Sequence, residues 1–549
     1  MDKRSRIRKL SWFFIFAAFC TVSALLRFYL LGQVPNGLNH DEASIGYDAL
    51  CLARYGIDRN GYPWPVYPIT WGSGGGSPLM IYLVVLSTRL LGRSIFSLRF
   101  FPALLGSLTP LLLGLIPFLN KSTDTDITDL KEQSCERKVF SLLLIFLTAI
   151  NPWHLMLSRW ALDANTLPFF LTLAILLFVY AACSTVHRLP KYLLSACVFA
   201  LCPYAYGSAT IVIPVLLLLL AAWSVKNRLM TIREMLLSAL VFALVMAPLV
   251  LFFAVNALHL PAIITPYFSI PTLTASRSVF RSAAQLPATL AENLRYLLVF
   301  FTIGAEQGEI SCNYVPGYAQ MFRFTFPLTF LGLFLSIKSI KKRSISDISM
   351  LLLTGVTVLF SLFIELDINR MTLLLIPLIW FQARALAFLC TQRGLIFRLA
   401  ACLSCAAVLC AGCLFLHDYF GEKYNRISKE EDFFMPGYEK AAQEAAILAG
   451  NSRSVVSTYT HLSAPFILAL YGTETPPEEF LSTVVWKDES SEFRVASAFG
   501  RFSFGLPADL SDIDLDSTVL ILHSSELDSL PDTAHCTVST YGDFCVISR

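Results

Sequence analysis

The sequence predicts an all-α polytopic membrane protein carrying a small C-terminal extracytoplasmic α/β domain. Of its 549 residues, 55% are hydrophobic and 15% charged, with 43 Phe, a balance too apolar for a soluble globule. The apolar residues fall in runs that match bilayer thickness, for which a helix needs about 20 residues. Beyond residue 417 the composition reverses: residues 418–549 hold 21 Asp plus Glu against 9 Lys plus Arg, whereas the preceding region is net basic.

The first run, residues 10–32, follows Lys3, Arg4, Arg6, Arg8 and Lys9 and has no small-residue cleavage site after it, which predicts an uncleaved helix with a cytoplasmic start. Ten further segments complete a threading of about eleven transmembrane helices: 98–119, 139–157, 166–183, 192–206, 209–224, 234–254, 323–338, 347–365, 371–389 and 396–416. Lysine tests this threading independently, because basic residues of short loops stay on the cytoplasmic side. All ten lysines before residue 420 fall inside, and the C-terminus falls outside. Pro78–Leu91 holds Arg89 and is short for a crossing, so an interfacial helix is expected there. A crossing at that point would turn the loop Asn120–Lys138 outward and break the lysine pattern.

Two long outer loops result, 33–97 and 256–322. The second has no lysine and includes the apolar stretch Tyr296–Gly304, expected to be interfacial or re-entrant. Further on, Val455–Thr458 and Val519–His523 read as strands, Gly437–Leu448 as a helix and Cys536–Ile547 as a hairpin. The expected division is a transmembrane domain over 1–417 and an extracytoplasmic domain over 418–549. Most of the 14 cysteines sit in predicted helices, Cys402, Cys405, Cys410 and Cys413 among them, and read as small buried residues. Cys536 and Cys545 lie on facing arms of the hairpin, where an oxidising compartment allows a disulfide. His461 and Trp486 have no motif around them and read as packing positions.

His40-Asp41-Glu42 stands about ten residues beyond the first apolar run, at the mouth of a membrane helix. Two adjacent carboxylates there suit chemistry or, more simply, the capping of a juxtamembrane helix over Ala43–Ala49. The rest of the loop weighs towards chemistry. Tyr55 to Pro65 and Trp71 to Pro78 alternate polar turns with aromatics, a surface suited to stacking sugar rings and holding a lipid head group, and a plain connector rarely spends some 65 residues on one gap. The next outer turn, Ser158 to Asn165, adds Arg159, whose planar fork suits a pair of phosphate oxygens, and Asp163, suited to orienting a metal or an attacking hydroxyl. A helix-end charge and an N-cap are the plain alternative for these two residues.

Four patterns now stand in order: the Asp41-Glu42 pair; Gly56-x-Asp58-x-x-Gly61; Arg99-x-x-Pro102-Ala103-Leu104-Leu105-Gly106; and Asn151-Pro152-Trp153-His154 leading to Ser158-Arg159. This order resembles that of the GT-C glycosyltransferases, within them the family 39 type, which includes protein O-mannosyltransferases and the bacterial aminoarabinose transferase of lipid A. The resemblance covers the first 210 residues best, continues weakly through Asn369-Arg370-Met371-Thr372 and Ile376-Pro377, and is architectural beyond. It implies transfer of a sugar from a polyprenyl-phosphate carrier to a glycan, lipid or protein acceptor on the outer face of the membrane, usually with inversion. Nucleic acid has no part in it. Asp41 matches the family's essential first-loop acid, Glu42 is its partner and Asp163 matches the acid of the second loop, whereas His40 has no firm equivalent. Some relatives hold a divalent cation near these acids and others need none, so Mg, Mn or Zn on Asp41, Glu42 and Asp163 is left open. A bacterial plasma membrane is the expected location, and a reticulum membrane would present the same site to the lumen.

The bare residues are compatible with such chemistry. Attack of an acceptor hydroxyl or amine on an anomeric carbon needs a base, for which Asp41 is the candidate, and positive charge for the departing phosphate. Arg159 and Arg370 are the expected suppliers, with Arg27 near the outer end of the first helix as a third. Arg370 closely follows Glu365 and Asp367, which also suits an ordinary ion pair. The helix from Pro78 and the aromatics Tyr267 and Phe268 would line a groove for the isoprenoid tail, or simply form an interface belt. A lipid-sugar flippase or proton-coupled carrier competes with this reading, as does a glycan ligase or polymerase of related architecture. Carriers tend to place ionisable groups at the bilayer midplane and to use repeated halves. Here the acids gather at outer helix ends, and a ligase relying on Arg and His would survive Asp41→Asn.

Overall fold

The computed structural model describes residues 3–72, 74, 76, 78–119, 127–275, 285–302, 312–530 and 535–549. Ser73, Gly75 and Ser77 of the glycine-rich turn, positions 120–126 of the loop before Lys138, and the end of the Tyr296–Gly304 stretch lie outside the described residues.

Every one of the eleven expected apolar segments is helical. The chain opens with α1 (Lys3–Phe28), and its first long connection carries α2 (His40–Tyr55) and α3 (Pro78–Leu91). Then follow α4 (Ile95–Leu119), α5 (Ile127–Ile150), α6 (Pro152–Leu157), α7 (Leu167–Cys183), α8 (Arg188–Ala205), α9 (Ala209–Lys226) and α10 (Ile232–Ala257). A second connection holds the short hairpin β1 (Ile263–Ile264) and β2 (Ser269–Ile270) and then α11 (Leu286–Thr302), before α12 (Phe326–Ser339), α13 (Ile345–Ser361), α14 (Leu375–Thr391) and α15 (Leu395–Phe420). Among the described residues, six helices are long and apolar enough to cross a membrane by length and composition: α4, α7, α9, α10, α14 and α15, where α7 and α14 include their leading 3-10 turns. The most apolar stretch of α14 is 83% buried and that of α10 17%, so α14 runs inside the bundle and α10 along its rim.

One segment differs from expectation. The helix placed at 139–157 starts earlier and breaks after Ile150, because Pro152 has no N–H to continue the ladder and Asn151 restarts it, its side chain accepting from His154 N at 2.8 Å. The stretch around Tyr296 belongs to an amphipathic helix that buries Thr289, Asn293, Leu297 and Phe300 along one face. Asn293 Nδ2 donates to the carbonyls of Ser361, Leu362 and Ile364, which fastens this helix to the end of α13. At the other end of the bundle a buried carboxylate joins three helices. Asp347 accepts from Ser336 Oγ (3.1 Å), Ser339 Oγ (2.7 Å) and Trp380 Nε1 (2.8 Å).

The C-terminal region contains α16 (Glu422–Glu430), α17 (Tyr438–Ala449), β3 (Ser454–Ser457), α18 (Pro465–Thr473), α19 (Pro477–Thr483), β4 (Val485–Trp486), β5 (Ala496–Phe499), β6 (Phe502–Phe504), β7 (Thr518–His523), β8 (Thr537–Tyr541) and β9 (Phe544–Ser548). The strands form one sheet in the order β4-β5-β6-β3-β7-β9-β8, with β3 parallel to both neighbours and the other pairs antiparallel. All six residues of β7 are buried, as expected of a strand covered on both faces. The β8–β9 hairpin forms where expected, but Cys536 and Cys545 do not bridge. Thr540 stands opposite Cys545, while Cys536 lies beyond the Thr537–Ser548 pair, too far along the ladder for a disulfide.

The second large core of the molecule joins segments distant in sequence. Ala43, Ala49 and Leu52 of α2 and Met80, Ile81 and Val84 of α3 pack with Tyr438, Ala441 and Ala445 of α17 and Phe466 and Leu470 of α18. Tyr47 Oη donates to Thr475 O at 2.8 Å, and Glu474 pairs with both Arg54 and Arg93. The helix α2 of the first connection thus owes part of its burial to the C-terminal region, while α3 packs on α2 and α4.

Close approach inside the bundle gives a paired test. A Cβ on Gly332 of α12 would lie 1.7 Å from the Phe381 carbonyl oxygen of α14, whereas one on Gly355 of α13 meets nothing within 4 Å. Gly332→Ala is expected to lower stability by about 1–3 kcal/mol through overpacking, with Gly355→Ala near neutral, read from thermal unfolding of the solubilised protein. Equal behaviour of the two variants would contradict this packing.

Candidate functional site

The site is built on the N-terminus of α2. Asn39 is its cap: the side chain accepts from Asp41 N at 2.7 Å, while Glu42 Oε2 accepts from Asn39 N at 3.4 Å, a reciprocal capping box. Asp41 therefore sits in the first turn, where unpaired N–H groups and the helix dipole favour a carboxylate. Its Oδ1 accepts from Trp71 Nε1 at 3.0 Å, its Oδ2 lies 3.9 Å from His40 Nε2, and its side chain is 33% exposed. Trp71 is itself held from above, its carbonyl accepting from Arg494 N at 3.0 Å, while Thr274 N donates to Gly72 O at 3.1 Å.

Glu42, expected beside Asp41 as a catalytic or metal-holding carboxylate, is turned inward and wholly buried. Arg99 grips it bidentately, Nε to Oε1 at 2.9 Å and Nη2 to Oε2 at 2.7 Å, and Ala161 N donates to Oε1 at 2.8 Å. Its oxygens are occupied by protein donors, which makes it a positioning residue. The Ala161 bond has a further consequence: it ties the turn that bears Asp163 to the helix turn that bears Asp41. Arg99 also donates to the carbonyls of Pro35 and Gly37, both at 2.7 Å, so it fixes the approach to α2 as well.

Arg159 and Arg27, expected to face a donor phosphate, are also committed elsewhere. Arg159 donates to four carbonyls, those of Leu26, Arg27, Tyr29 and Val34, at 2.7–2.9 Å, and so closes the C-terminal end of α1, where orphan carbonyls collect negative charge. Arg27 donates to Ser23 Oγ (2.7 Å), Thr148 O (3.1 Å) and His154 Nδ1 (2.6 Å). Because an arginine can only donate, His154 Nδ1 must accept. The Asn151-to-Arg159 motif is therefore a clasp between α1 and α5–α6.

Arg370 differs, being in a turn at the edge of a polar cluster. It pairs with Glu365 (3.3 Å) and Asp367 (3.3 Å) and remains partly exposed at 13%. Half-buried Tyr206, at the break between α8 and α9, lies within electrostatic range of Asp163, Asp367 and Arg370, and Tyr67 of the first connection lies within range of Asp163. Burial pushes the Tyr67 phenol up, and the nearby Asp163 charge adds to the effect, so Tyr67 stays protonated as a hydrogen-bond donor. Asp163 begins a 3-10 turn, its Oδ1 accepting from Ala164 N at 2.8 Å. Sequence reasoning missed Tyr67, Tyr206 and Asp367. The signal for Tyr206 was the two-residue gap between two predicted helices.

Gly56-x-Asp58-x-x-Gly61 is a structural turn. Asp58 Oδ1 accepts from Asn60 N and Tyr62 N, both at 2.9 Å, and Arg59 grips buried Asp48 of α2 at 2.9 and 2.7 Å. Asp58 Oδ2 is buried without a hydrogen bond, and burial, reinforced by Asp48, raises its carboxyl to about 7.

The three-carboxylate cation set expected from the sequence does not form, because Glu42 is engaged by Arg99, and among the described residues no three His, Cys, Asp or Glu side chains converge on a metal position.

No family model matches the sequence, and no curated protein matches it. Solved structures do. The chain is similar to the oligosaccharyltransferase of Archaeoglobus fulgidus in complex with zinc and sulfate, at 15% identity and a TM-score of 0.52 over 83% of this chain and 61% of that one. The archaeal oligosaccharyltransferase AglB from the same organism, in complex with an inhibitory peptide and a dolichol-phosphate, gives a TM-score of 0.53 at 13% identity over 85% and 64%. ArnT from Cupriavidus metallidurans bound to undecaprenyl phosphate gives 0.51 at 12% identity over 97% of both chains. The chain has the GT-C fold. It spans about 61% of the length of the archaeal enzyme in the zinc complex, whereas the GT-C likeness to ArnT extends through the C-terminal sheet.

Two predictions follow from this geometry of the GT-C fold. Removing Arg99 leaves a buried uncompensated carboxylate and two orphan carbonyls, so Arg99→Met is expected to cost about 3–5 kcal/mol and more than Glu42→Gln, measured by thermal unfolding; a loss under ~1 kcal/mol would contradict the role assigned to the pair. Asp58 gives a pH signature. Its folded-state pKa of about 7 lies above the ~3.9 of an unfolded aspartate, so the native state binds more protons in that window and stability falls as pH rises through it. The protein should be about 1 kcal/mol more stable at pH 6 than at pH 8 from this group, and the difference between wild type and Asp58→Asn should grow across that range.

Proposed function

We propose that this chain is an inverting glycosyltransferase that moves a sugar from a polyprenyl-phosphate carrier to an acceptor on the outer face of a bacterial plasma membrane. The observation that carries this reading is Asp41. It is a partly exposed carboxylate at a helix N-terminus, oriented by Trp71, on a framework locked by Glu42 and Arg99. The proposed topology places the N-terminus in the cytoplasm, with eleven crossings and the C-terminal region outside.

In the proposed reaction, the acceptor hydroxyl or amine loses its proton to Asp41 Oδ2, the oxygen not bound by Trp71. A new bond forms to the anomeric carbon as the bond from that carbon to the phosphate oxygen breaks, and the electron pair leaves with the phosphate. The leaving group is already anionic and needs positive charge more than a strong acid. Arg370 supplies it, with Tyr67 and Tyr206 as neutral donors nearby. Asp163 orients the sugar or acceptor hydroxyls. The exposed apolar side chains Leu86 and Leu90 of α3 and Tyr267 and Phe268 of the β1–β2 hairpin suit a carrier tail in lipid.

The test is sugar release from a panel of polyprenyl-phosphate sugars by the purified protein in lipid nanodiscs, with and without chelator. Asp41→Asn, folded by thermal criteria, is expected to lose at least ~100-fold in turnover. Full activity in that variant would overturn the proposal, and loss on chelation would bring a cation into the reaction.

A further inference from the structure

Beside the candidate site the C-terminal region encloses a second concavity of about 340 Å³. Its floor is formed by Phe434 and Phe544, and its polar walls by Asp432, His461, His523 and Asp543. The His461 Nδ1 and Asp432 Oδ1 atoms are 2.6 Å apart, and the rings of His461 and His523 are in contact, tilted by 52° with centroids 4.4 Å apart. Lys429 pairs with Asp543. Both Asp432 and His461 hold left-handed backbone angles, φ 51° and 60°, which turn their side chains towards each other at some conformational cost.

The cavity adjoins Asp41 through two shared segments. Ser463, two residues from His461, places Oγ 3.0 Å from His40 Nδ1; Phe433, next to Asp432, accepts from Asn39 Nδ2 at 2.9 Å and sets its ring 6.4 Å from that of His40. A molecule seated against His461 and Asp432 would lie across one wall from the turn that bears Asp41.

The lining selects a chemical class. Its basic side chains each stand beside a carboxylate, Lys429 by Asp543, His461 by Asp432 and Arg426 by Glu430, so a bare phosphate would meet negative charge next to each of them. Carboxylate, ammonium and imidazole groups set side by side offer alternating acceptors and donors, the pattern that vicinal hydroxyls require. The His461 ring, 46% exposed, adds a planar face above an apolar floor. The volume is of small-molecule scale. We propose that this cavity binds a saccharide unit of the acceptor, so that the acceptor is a glycan or a glycan-bearing molecule. This rests on the transferase reading above, and it gives the C-terminal region a role in acceptor capture.

The test is saturation-transfer NMR on the full chain in nanodiscs, without donor, against neutral oligosaccharides of mannose, galactose, glucose and N-acetylglucosamine, with inorganic phosphate as control. At least one saccharide is expected to bind the wild type and Asp41→Asn alike. Binding should weaken tenfold or more in Asp432→Asn, where asparagine tolerates the left-handed angle, and in Lys429→Ala. Thermal unfolding of each variant reports that it is folded. Absence of binding by any saccharide, unchanged affinity in both folded variants, or displacement of sugar by phosphate would overturn the proposal. Because binding is read without turnover, saccharide binding in a protein that releases no sugar from any donor would refute the transferase reading alone.

Discussion

The ion pair between Glu42 and Arg99 is the constraint on which the rest of the site depends. It is fully buried, bidentate, and supplemented on the carboxylate by Ala161 N and on the guanidinium by two carbonyls. A buried pair of this kind is poor evidence for stability in itself, since desolvating two charges offsets much of their attraction. Its effect is geometric. It fixes the first turn of α2, the segment leading into it, one face of α4 and the turn after α6 in a single arrangement. Asp41 and Asp163 inherit their positions from that arrangement.

Arg159 and Arg27, expected to face the donor phosphate, share one structural task with Arg99. Between the end of α1 and the start of α2 the carbonyls of Tyr29, Val34, Pro35 and Gly37 lie outside any helix or sheet ladder, and buried carbonyls left unpaired are costly. Arg159 and Arg99 satisfy those carbonyls with side-chain forks, and Arg27 braces the same helix end against α5–α6. A guanidinium suits this use because its donors diverge in a plane and it keeps its charge when buried. Arg370 is the exception, because it lies partly exposed in a turn where it pairs with carboxylates.

The C-terminal region completes the first connection. The helix α2 buries its apolar face against α3 and α18, and Trp71, which orients Asp41, is held by Arg494 and backed by Phe466. A carboxylate held in one orientation needs a rigid backing. Here that backing is an α/β layer roughly 400 residues later in the chain.

Hydropathy and lysine placement made the helices legible from the sequence, since apolar length and charge position are local properties. All eleven expected segments are helical, and the strands Val455–Thr458 and Val519–His523 and the hairpin near Cys536 lie where alternation placed them. Charge and motif also singled out Asp41, which lies in the first turn of α2, and Asp163 and Arg370, which lie within electrostatic range of Tyr206. What the sequence could not express is which way a side chain turns. Glu42 and Asp41 are adjacent, yet a helix sends neighbours about 100° apart, so one faces Arg99 in the interior and the other faces the opening. Arg159 and Arg370 look equivalent as cations, and only the fold shows that one is surrounded by carbonyls and the other by carboxylates. Composition and periodicity determined where the chain is helical and where its chemistry could lie; burial and hydrogen-bond satisfaction, which are properties of distant segments brought together, decided which charged groups are enclosed as scaffold and which keep some exposure.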